Sequence, residues 1–326
     1  MANRSMSDVA AWIARLAATS RDVRSEAVGW ARYIKPARKD RVAIVTDTSA
    51  ALPDEVYQLP NGSELFIIPI PVMIGDQIYN EDDEVLHHDL SIALAAGTSL
   101  RTSRPSPGQF SATYKHVAEQ GYSRILSIHL SSRLSGTTDA ARIAAQSSPI
   151  PVTVLDSYNA GMSLGHAVLD TLMRTRLGLS PDFLADIAQR QADVGQTIFT
   201  VPNLDALRKG GRIPALPGLL GQLLQVRPVM HLKDGAIELL DRPRSQAKAL
   251  ALITEIANSA ETPVRLSVQA YGDFETAHEL AAALEEHSSM PVPVLRLPAV
   301  LAAHLGLGAL GISMSPALDY AGYGRP

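Results

Sequence analysis

The sequence predicts an α/β protein made of two α/β domains. From residue 42 onward, short apolar runs alternate with segments of helical spacing, which is typical of a parallel sheet covered by helices. A second set of strand-like runs follows after residue 195, and 326 residues are enough for two hydrophobic cores. We therefore expect an N-terminal domain at residues 42–160 and a C-terminal domain at residues 161–326. An amphipathic helical extension, residues 1–41, precedes them.

Composition limits the functional classes. The chain is 46% apolar and contains no cysteine, so it can have no disulfide, thiolate nucleophile or cysteine-ligated metal. No apolar run reaches the roughly 18 residues of a membrane-spanning helix, and no secretory signal is recognisable. We expect a protein of the cytoplasm.

The extension differs from the rest of the chain in charge. Residues 1–40 have eight Lys and Arg against four Asp and Glu, a net +4, which leaves −8 on the remainder because the total is −4. A negative body argues against nucleic acid as a partner. Apolar residues recur in the extension at helical spacing: Val9, Trp12, Ile13, Leu16 and Ala17. This face is expected to pack on the body or on a second subunit. Contact with a membrane surface is the alternative, since arginines surround the two tryptophans.

The elements of the first domain follow in order. Helices are expected near residues 89–96, 108–120 and 137–146. Strands are expected at residues 42–45, within the apolar run 64–74, and at 124–130 and 152–155. Their alternation predicts a parallel sheet with helices on its faces.

Polar segments follow three of these strands. They are Thr46–Ser49, Ser131–Thr138 and Asp156–Ser157. The carboxyl ends of parallel strands lie at one edge of a sheet, where ligands bind. Residues 131–138, here called the serine loop, lead into a helix, so backbone N–H groups and hydroxyls could form an anion site. The alternative is that Ser135 or Thr137 merely caps that helix.

The second domain reads as a further sheet with helices. Helices are expected up to residue 178 and at 181–194, 244–260 and 274–286. Strands are expected at residues 197–201, 226–232, 236–240, 264–270 and 294–297. Asp234-Gly235 predicts a two-residue hairpin turn between the second and third of these strands.

Two familiar patterns carry little weight. Ser163 lies in a G-x-S-x-G sequence that begins at Gly161, with five residues between it and the end of the preceding strand. A helix start is therefore favoured over a nucleophile. Gly306-x-Gly308-x-x-Gly311 is followed by too few residues for a dinucleotide-binding unit. The nine histidines lack metal-ligand spacing, and His304 is expected in a loop.

Three further segments stand out. Thr102 and Ser103 lie too far upstream of the helix near residue 108 to cap it, whereas Ser106 suits an N-cap. Cations surround a double glycine at residues 207–213, either as a solvated helix end or as a patch that docks a partner or phosphate. Residues 214–226 carry no charge at all and are expected to be buried or to line an apolar cavity.

Taken together, short motifs in these segments resemble the DegV family of bacterial fatty-acid-binding proteins. The motifs are Val45–Ser49, Thr102-Ser103-x-Pro105-Ser106, Ser131-Ser132-x-Leu134-Ser135-Gly136-Thr137, Asp156-Ser157, Gly210-Gly211-Arg212-Ile213, Arg227-Pro228, Arg244-Ser245 and His304-x-Gly306-x-Gly308. The resemblance implies two α/β domains of the EDD fold with one long-chain fatty acid buried between them.

The resemblance also implies roles for single residues. The fatty acid carboxylate would be held by Thr102 and by Ser131 or Ser132, with His304 close by. The protein would be a lipid-binding carrier subunit without catalysis, cofactor or metal of its own.

A partner kinase is implied as well. Arg212 and Arg244 would dock a separate ATP-dependent fatty acid kinase, which converts the bound carboxylate to an acyl phosphate for phospholipid synthesis. Two alternatives stay open from the residues: a serine hydrolase acting through Ser163 or a serine of the serine loop, and a scaffold protein that reaches a membrane or partner through the extension.

Overall fold

The computed structural model describes residues 9–18, 36–59, 61–177, 179–213, 226–262, 264–286, 288 and 290–316. Its first half contains helices at residues 9–18 (α1), Leu86–Ala96 (α2), Pro107–Glu119 (α3) and Thr137–Ala145 (α4). The strands are β1 (Val42–Asp47), β2 (Leu65–Ile68), β3 (Val72–Ile74), β4 (Gln77–Tyr79), β5 (Leu100–Thr102), β6 (Arg124–His129) and β7 (Val152–Asp156).

The first sheet is parallel, as predicted. Its strand order is β2-β1-β6-β7, and every neighbouring pair runs in the same direction. All six residues of β1 are buried, because helices cover both faces of the sheet. α3 packs against β2 and β6 and α4 against β6 and β7. The carboxyl ends of β1, β6 and β7 therefore meet at one edge.

The apolar run 64–74 divides into two strands of different sheets. β2 ends at Ile68 and β3 begins at Val72, because Pro69 and Pro71 cannot donate hydrogen bonds to a sheet. β3 forms a small antiparallel sheet in the order β4-β3-β5. This sheet was not predicted, and it ends at Thr102.

The second half contains α5 (Met162–Leu172), α6 (Pro181–Val194), α7 (Asp205–Lys209), α8 (Gln246–Asn258), α9 (Phe274–Glu285) and α10 (Ala299–Leu305). Its strands are β8 (Gln196–Thr200), β9 (Val229–Lys233), β10 (Ala236–Asp241), β11 (Val264–Tyr271), β12 (Val294–Arg296) and β13 (Ala309–Pro316). They form one mixed sheet in the order β10-β9-β8-β13-β11-β12, in which β11 and β12 alone are parallel.

The β9–β10 hairpin has the predicted turn. Asp234 and Gly235 both have positive φ, at 48° and 79°, which suits the tight turn between twisted strands. Lys233 pairs with Ala236 across it. The central strand β13, in contrast, was not predicted.

α5 lies between the two sheets. All of its residues are buried, and it packs against β1 and β6 on one side and β8 and β13 on the other. α6 also contacts both sheets. The predicted division near residue 160 falls just before this shared helical layer and stays a prediction.

The extension contributes to the core. α1 buries Val9, Trp12 and Leu16 in the larger hydrophobic cluster, together with residues of β1, α5 and α10. Packing on the body, the first alternative, is therefore confirmed for this helix. Trp30 lies outside the described residues, and among the helices that are described none is long and apolar enough to cross a bilayer.

Candidate functional site

A mostly aliphatic cavity lies between the two halves of the chain. Ile70, Leu130 and Leu134 contribute from the first half, and Phe199 and Leu301 from the second. Its empty space is about 890 Å³ when the part that is open to solvent is included. Such walls suit an apolar ligand. Residues 214–225, which were expected to be buried or to line a cavity, lie outside the described part of the chain.

One part of the cavity wall is polar. Thr102 at the end of β5 and His304 in the last turn of α10 line it, and Thr102 Oγ1 lies 2.8 Å from His304 Nε2. The structure brings these two residues together, and their contact with a carboxylate stays a prediction. The expected loop around His304 is wrong, because Ala299–Leu305 forms a short helix after Pro298.

His304 is held in its neutral form. Burial, followed by the positive charge of Arg212, lowers the pKa of His304 to about 4. At neutral pH the ring therefore has one N–H donor and one acceptor nitrogen. The Thr102–His304 pair can thus accept or donate without adding charge.

Arg212 supplies a positive charge to the same wall. It lines the cavity, its Nε donates to the carbonyl of Leu134 at 3.2 Å, and its guanidinium also donates to the carbonyl of Gly210. Burial lowers the pKa of the Arg212 guanidinium. Gly210 allows close packing, because a Cβ there would lie 2.5 Å from His304 Nδ1. Arg212 therefore belongs to the cavity, whereas Arg244 is exposed beside the start of α8.

The serine loop is fixed by the hairpin and by β7. The buried Ser131 hydroxyl donates to the carbonyl of Gly235 at 2.6 Å, and the Ser132 N–H donates to Asp156. Ser135 lines the cavity, but Ser131 and Ser132 are not among the wall residues. Carboxylate binding by Ser131 or Ser132 stays a prediction.

Capping does not explain the hydroxyls of the serine loop. α4 has Gly136 at its N-cap position and no side-chain cap. Ser135 Oγ instead lies 2.8 Å from Thr137 Oγ1, and Thr138 donates to the carbonyl of Leu130. The capping alternative for Ser135 and Thr137 is therefore wrong. Ser106 does cap α3, with Gln109 completing a capping box.

A buried polar chain that was not predicted supports this edge of the first sheet. Asp47 Oδ2 lies 2.9 Å from His129 Nδ1, and His129 Nε2 lies 2.7 Å from Ser127 Oγ. Ser127 Oγ lies 2.9 Å from the hydroxyl of Tyr114, and burial raises the pKa of Tyr114 to about 12. These four side chains are fully buried. The Asp-His-Ser order is that of a hydrolase triad, but no substrate can reach this serine.

Ser163 is not arranged as a nucleophile. It begins α5, as predicted, and is fully buried. Its hydroxyl donates to the carbonyl of Gln196 at 2.7 Å, and the nearby His166 bonds Ser315 instead. Among the described residues no group of acidic or histidine side chains has the arrangement of a metal site.

Fold and site together define a two-domain α/β protein with a partly open, mostly apolar cavity. The chain belongs to the DegV family: residues 41–317 match the family model described as "Uncharacterised protein, DegV family". A DegV domain-containing protein of Streptomyces coelicolor is 36% identical over 278 residues, which cover 84% of this chain and 98% of that protein.

Solved structures of DegV family proteins are similar to this chain over most of its length. The structure "Fatty Acid Binding of a DegV family Protein from Thermus thermophilus" has 30% identity and a TM-score of 0.75, and the match covers 85% of this chain and all of that one. DegV of Bacillus subtilis, a fatty acid binding protein, has 27% identity and a TM-score of 0.75. The match covers 85% of this chain and 99% of that one.

Proposed function

We propose that this protein binds a long-chain fatty acid in the cavity between its two halves. The observation that carries the proposal is an aliphatic cavity with one polar wall formed by Thr102, His304 and Arg212. The related DegV proteins of Thermus thermophilus and Bacillus subtilis bind fatty acid, which supports it.

The two kinds of wall have different tasks. Burying about 14 methylenes at about 0.8 kcal/mol each contributes on the order of 11 kcal/mol. A hydrogen bond to a charged group contributes about 1.5–3 kcal/mol. The acyl chain therefore supplies most of the affinity, and the polar wall determines where the carboxylate lies.

Arg212 makes a carboxylate acceptable in this site. A buried carboxylate without a positive partner is costly, and the guanidinium lies in the wall that contains Thr102 and His304. Neutral His304 and the Thr102 hydroxyl can hold one carboxylate oxygen by hydrogen bonds. The other oxygen can then stay accessible.

An accessible oxygen permits the second part of the proposal, presentation to a kinase. A carboxylate oxygen attacks the γ-phosphorus of ATP on a separate kinase, ADP leaves, and an acyl phosphate remains on the carrier. Exposed Arg244 is the proposed docking residue, and the whole sequence of steps belongs in the cytoplasm, where ATP is available.

Mass spectrometry of lipid extracted from the purified protein tests fatty acid binding. A stoichiometric long-chain fatty acid is expected, and delipidated protein should bind added oleate. Purified protein that carries no lipid and fails to bind added fatty acids of several chain lengths would reject the proposal. Acyl phosphate formation with a fatty acid kinase and ATP tests the second part separately.

A further inference from the structure

The cavity has a second polar position, at Gln269. This residue lies on β11, its side chain is 3% exposed, and it lines the cavity beside Ala160 and Gly161. Ala160 and Gly161 immediately precede α5. The wall here therefore combines a buried amide with the start of a helix.

The amide of Gln269 has a defined orientation. Its Oε1 accepts hydrogen bonds from the N–H of Met162 at 3.1 Å and from the hydroxyl of Ser313 at 3.0 Å. Because both partners are donors, the oxygen must occupy this position and Nε2 the other one. Nε2 has no hydrogen-bond partner among the residues that the structure describes.

The unpaired amide donor at this position could bind a hydrogen-bond acceptor on a ligand. Buried polar groups in folded proteins are nearly always hydrogen-bonded, and an unpaired donor costs free energy. Other buried side-chain atoms also lack a partner in the described ranges, such as His166 Nε2, Thr200 Oγ1 and Ser267 Oγ. None of those residues lines the cavity, whereas Gln269 does.

The start of α5 adds to the preference for an acceptor. α5 has 11 residues, so its N-terminus presents a partial positive charge. Gly161, with φ +67°, permits the close approach, because a Cβ there would lie 2.7 Å from Gln269 Oε1. The same added atom would lie 3.4 Å from Nε2, which places the free donor next to this turn.

We propose that Nε2 of Gln269 and the first turn of α5 form a second polar subsite, which binds a hydroxyl or oxo oxygen carried on the acyl chain. This proposal rests on the proposed fatty acid binding and narrows it to oxygenated chains. A plain chain would bury the donor without an acceptor. A site that hydrogen-bonds a substituent discriminates against the analogue that lacks it.

The test compares stearic acid with monohydroxy- and mono-oxostearic acids that carry the oxygen at different positions along the chain. Binding to delipidated protein is measured by displacement of a fluorescent fatty acid. At least one positional isomer should bind about three- to tenfold more tightly than stearic acid, the effect of one hydrogen bond. Gln269→Met, which keeps the length but removes the donor, should abolish that preference, measured as the ratio of the two affinities in the same variant.

Thr200→Val is the matched control. It removes another buried polar atom without a described partner, but one outside the cavity wall, so the preference should persist. A crystal structure of the unaltered protein with the preferred isomer provides a readout that needs no variant. Its chain oxygen should lie within hydrogen-bond distance of Gln269 Nε2.

Three outcomes would overturn the subsite. Stearic acid could bind as well as every oxygenated isomer, Gln269→Met could keep the preference, or the chain oxygen could lie away from Gln269. In each of these the proposed function survives, because stearic acid still binds. If no fatty acid binds at all, both proposals fail together.

Discussion

Two histidine clusters use similar residue types but differ in what surrounds them. His129 lies in a chain from Asp47 to Tyr114 whose members are fully buried and bonded to one another. His304 bonds Thr102 in a cavity wall, close enough to Arg212 for that charge to lower its pKa. The first cluster is satisfied within the protein, whereas the second faces space that a ligand can occupy.

This difference separates a structural role from a binding role. The Asp47–His129–Ser127 sequence of contacts resembles a catalytic triad, yet it connects β1 with β6 behind the ligand edge. Residue types alone do not distinguish the two clusters. Access from the cavity and the nearby charge of Arg212 support the proposed binding role of Thr102 and His304.

The largest expected effect follows from breaking the buried cluster. Asp47→Ala leaves the N–H groups of Ser49 and Leu130, and the ring of His129, without their acceptor. Removing the acceptor of several buried donors should lower the free energy of unfolding by about 3–5 kcal/mol, since each unsatisfied buried donor costs about 1–3 kcal/mol. Urea denaturation measures the loss.

Thr102→Val is the comparison variant in the other cluster. It should cost less than about 1.5 kcal/mol, the usual value of one hydrogen bond, and should act mainly on fatty acid binding. Equal destabilisation by the two variants would show that the clusters do not differ in role.

The next effect concerns affinity rather than stability. Arg212→Met keeps the aliphatic stem but removes one positive charge from the cavity wall, which also contains Arg104. We expect oleate affinity to fall about tenfold at pH 7, the lower end for a charged hydrogen bond, because Arg212 is only half-buried. Isothermal titration with delipidated protein measures it.

Arg244→Met is the matched control, since Arg244 is exposed beside α8. It should leave oleate affinity unchanged and lower only the rate of acyl phosphate formation. If Arg212→Met also leaves oleate affinity unchanged and slows only acyl phosphate formation, Arg212 acts in docking and does not hold the carboxylate.

Much of the fold could be predicted because its elements have local signals. The strands of the parallel sheet, the hairpin turn and most helices follow from periodicity and turn residues. β3, β4 and β5 are three-residue strands whose existence depends on pairing across the small sheet. β13 had a usable signal, because Leu310, Ile312 and Met314 alternate with small or polar residues. This signal overlaps the Gly306-x-Gly308-x-x-Gly311 pattern, which hid it.

The arrangement of the site was harder to predict from the sequence than the fold. Thr102 and His304 are 202 positions apart, so their contact could be expected only through the family resemblance. The position of Arg212 in the wall depends on how α7 and the serine loop pack. Gln269 has no local signal at all, because a single glutamine in a buried strand does not reveal which of its atoms stay unpaired.

The last prediction is a pH dependence of stability in which a structural histidine and a proposed binding histidine should respond differently to fatty acid. Burial lowers the pKa of His166 to about 3, and burial with Arg212 lowers that of His304 to about 4. Between these values and the unfolded value of about 6.5, the unfolded state binds more protons. The free energy of unfolding should therefore fall as the pH drops below 6.5, by up to about 1.4 kcal/mol per pH unit for each histidine.

Bound fatty acid should reduce the contribution of His304 to this pH dependence but not that of His166. A carboxylate bound beside His304 favours the protonated ring and opposes the effect of Arg212, so the pKa of His304 should rise on binding. His166 lies on α5, contacts Ser315 of β13 and is next to Asp170 and Arg265, and it does not line the cavity. Unfolding measured from pH 4.5 to 6.5 should thus be less steep for oleate-loaded protein. His304→Gln should remove the difference in slope between loaded and delipidated protein, while a slope that oleate leaves unchanged would place the carboxylate away from His304.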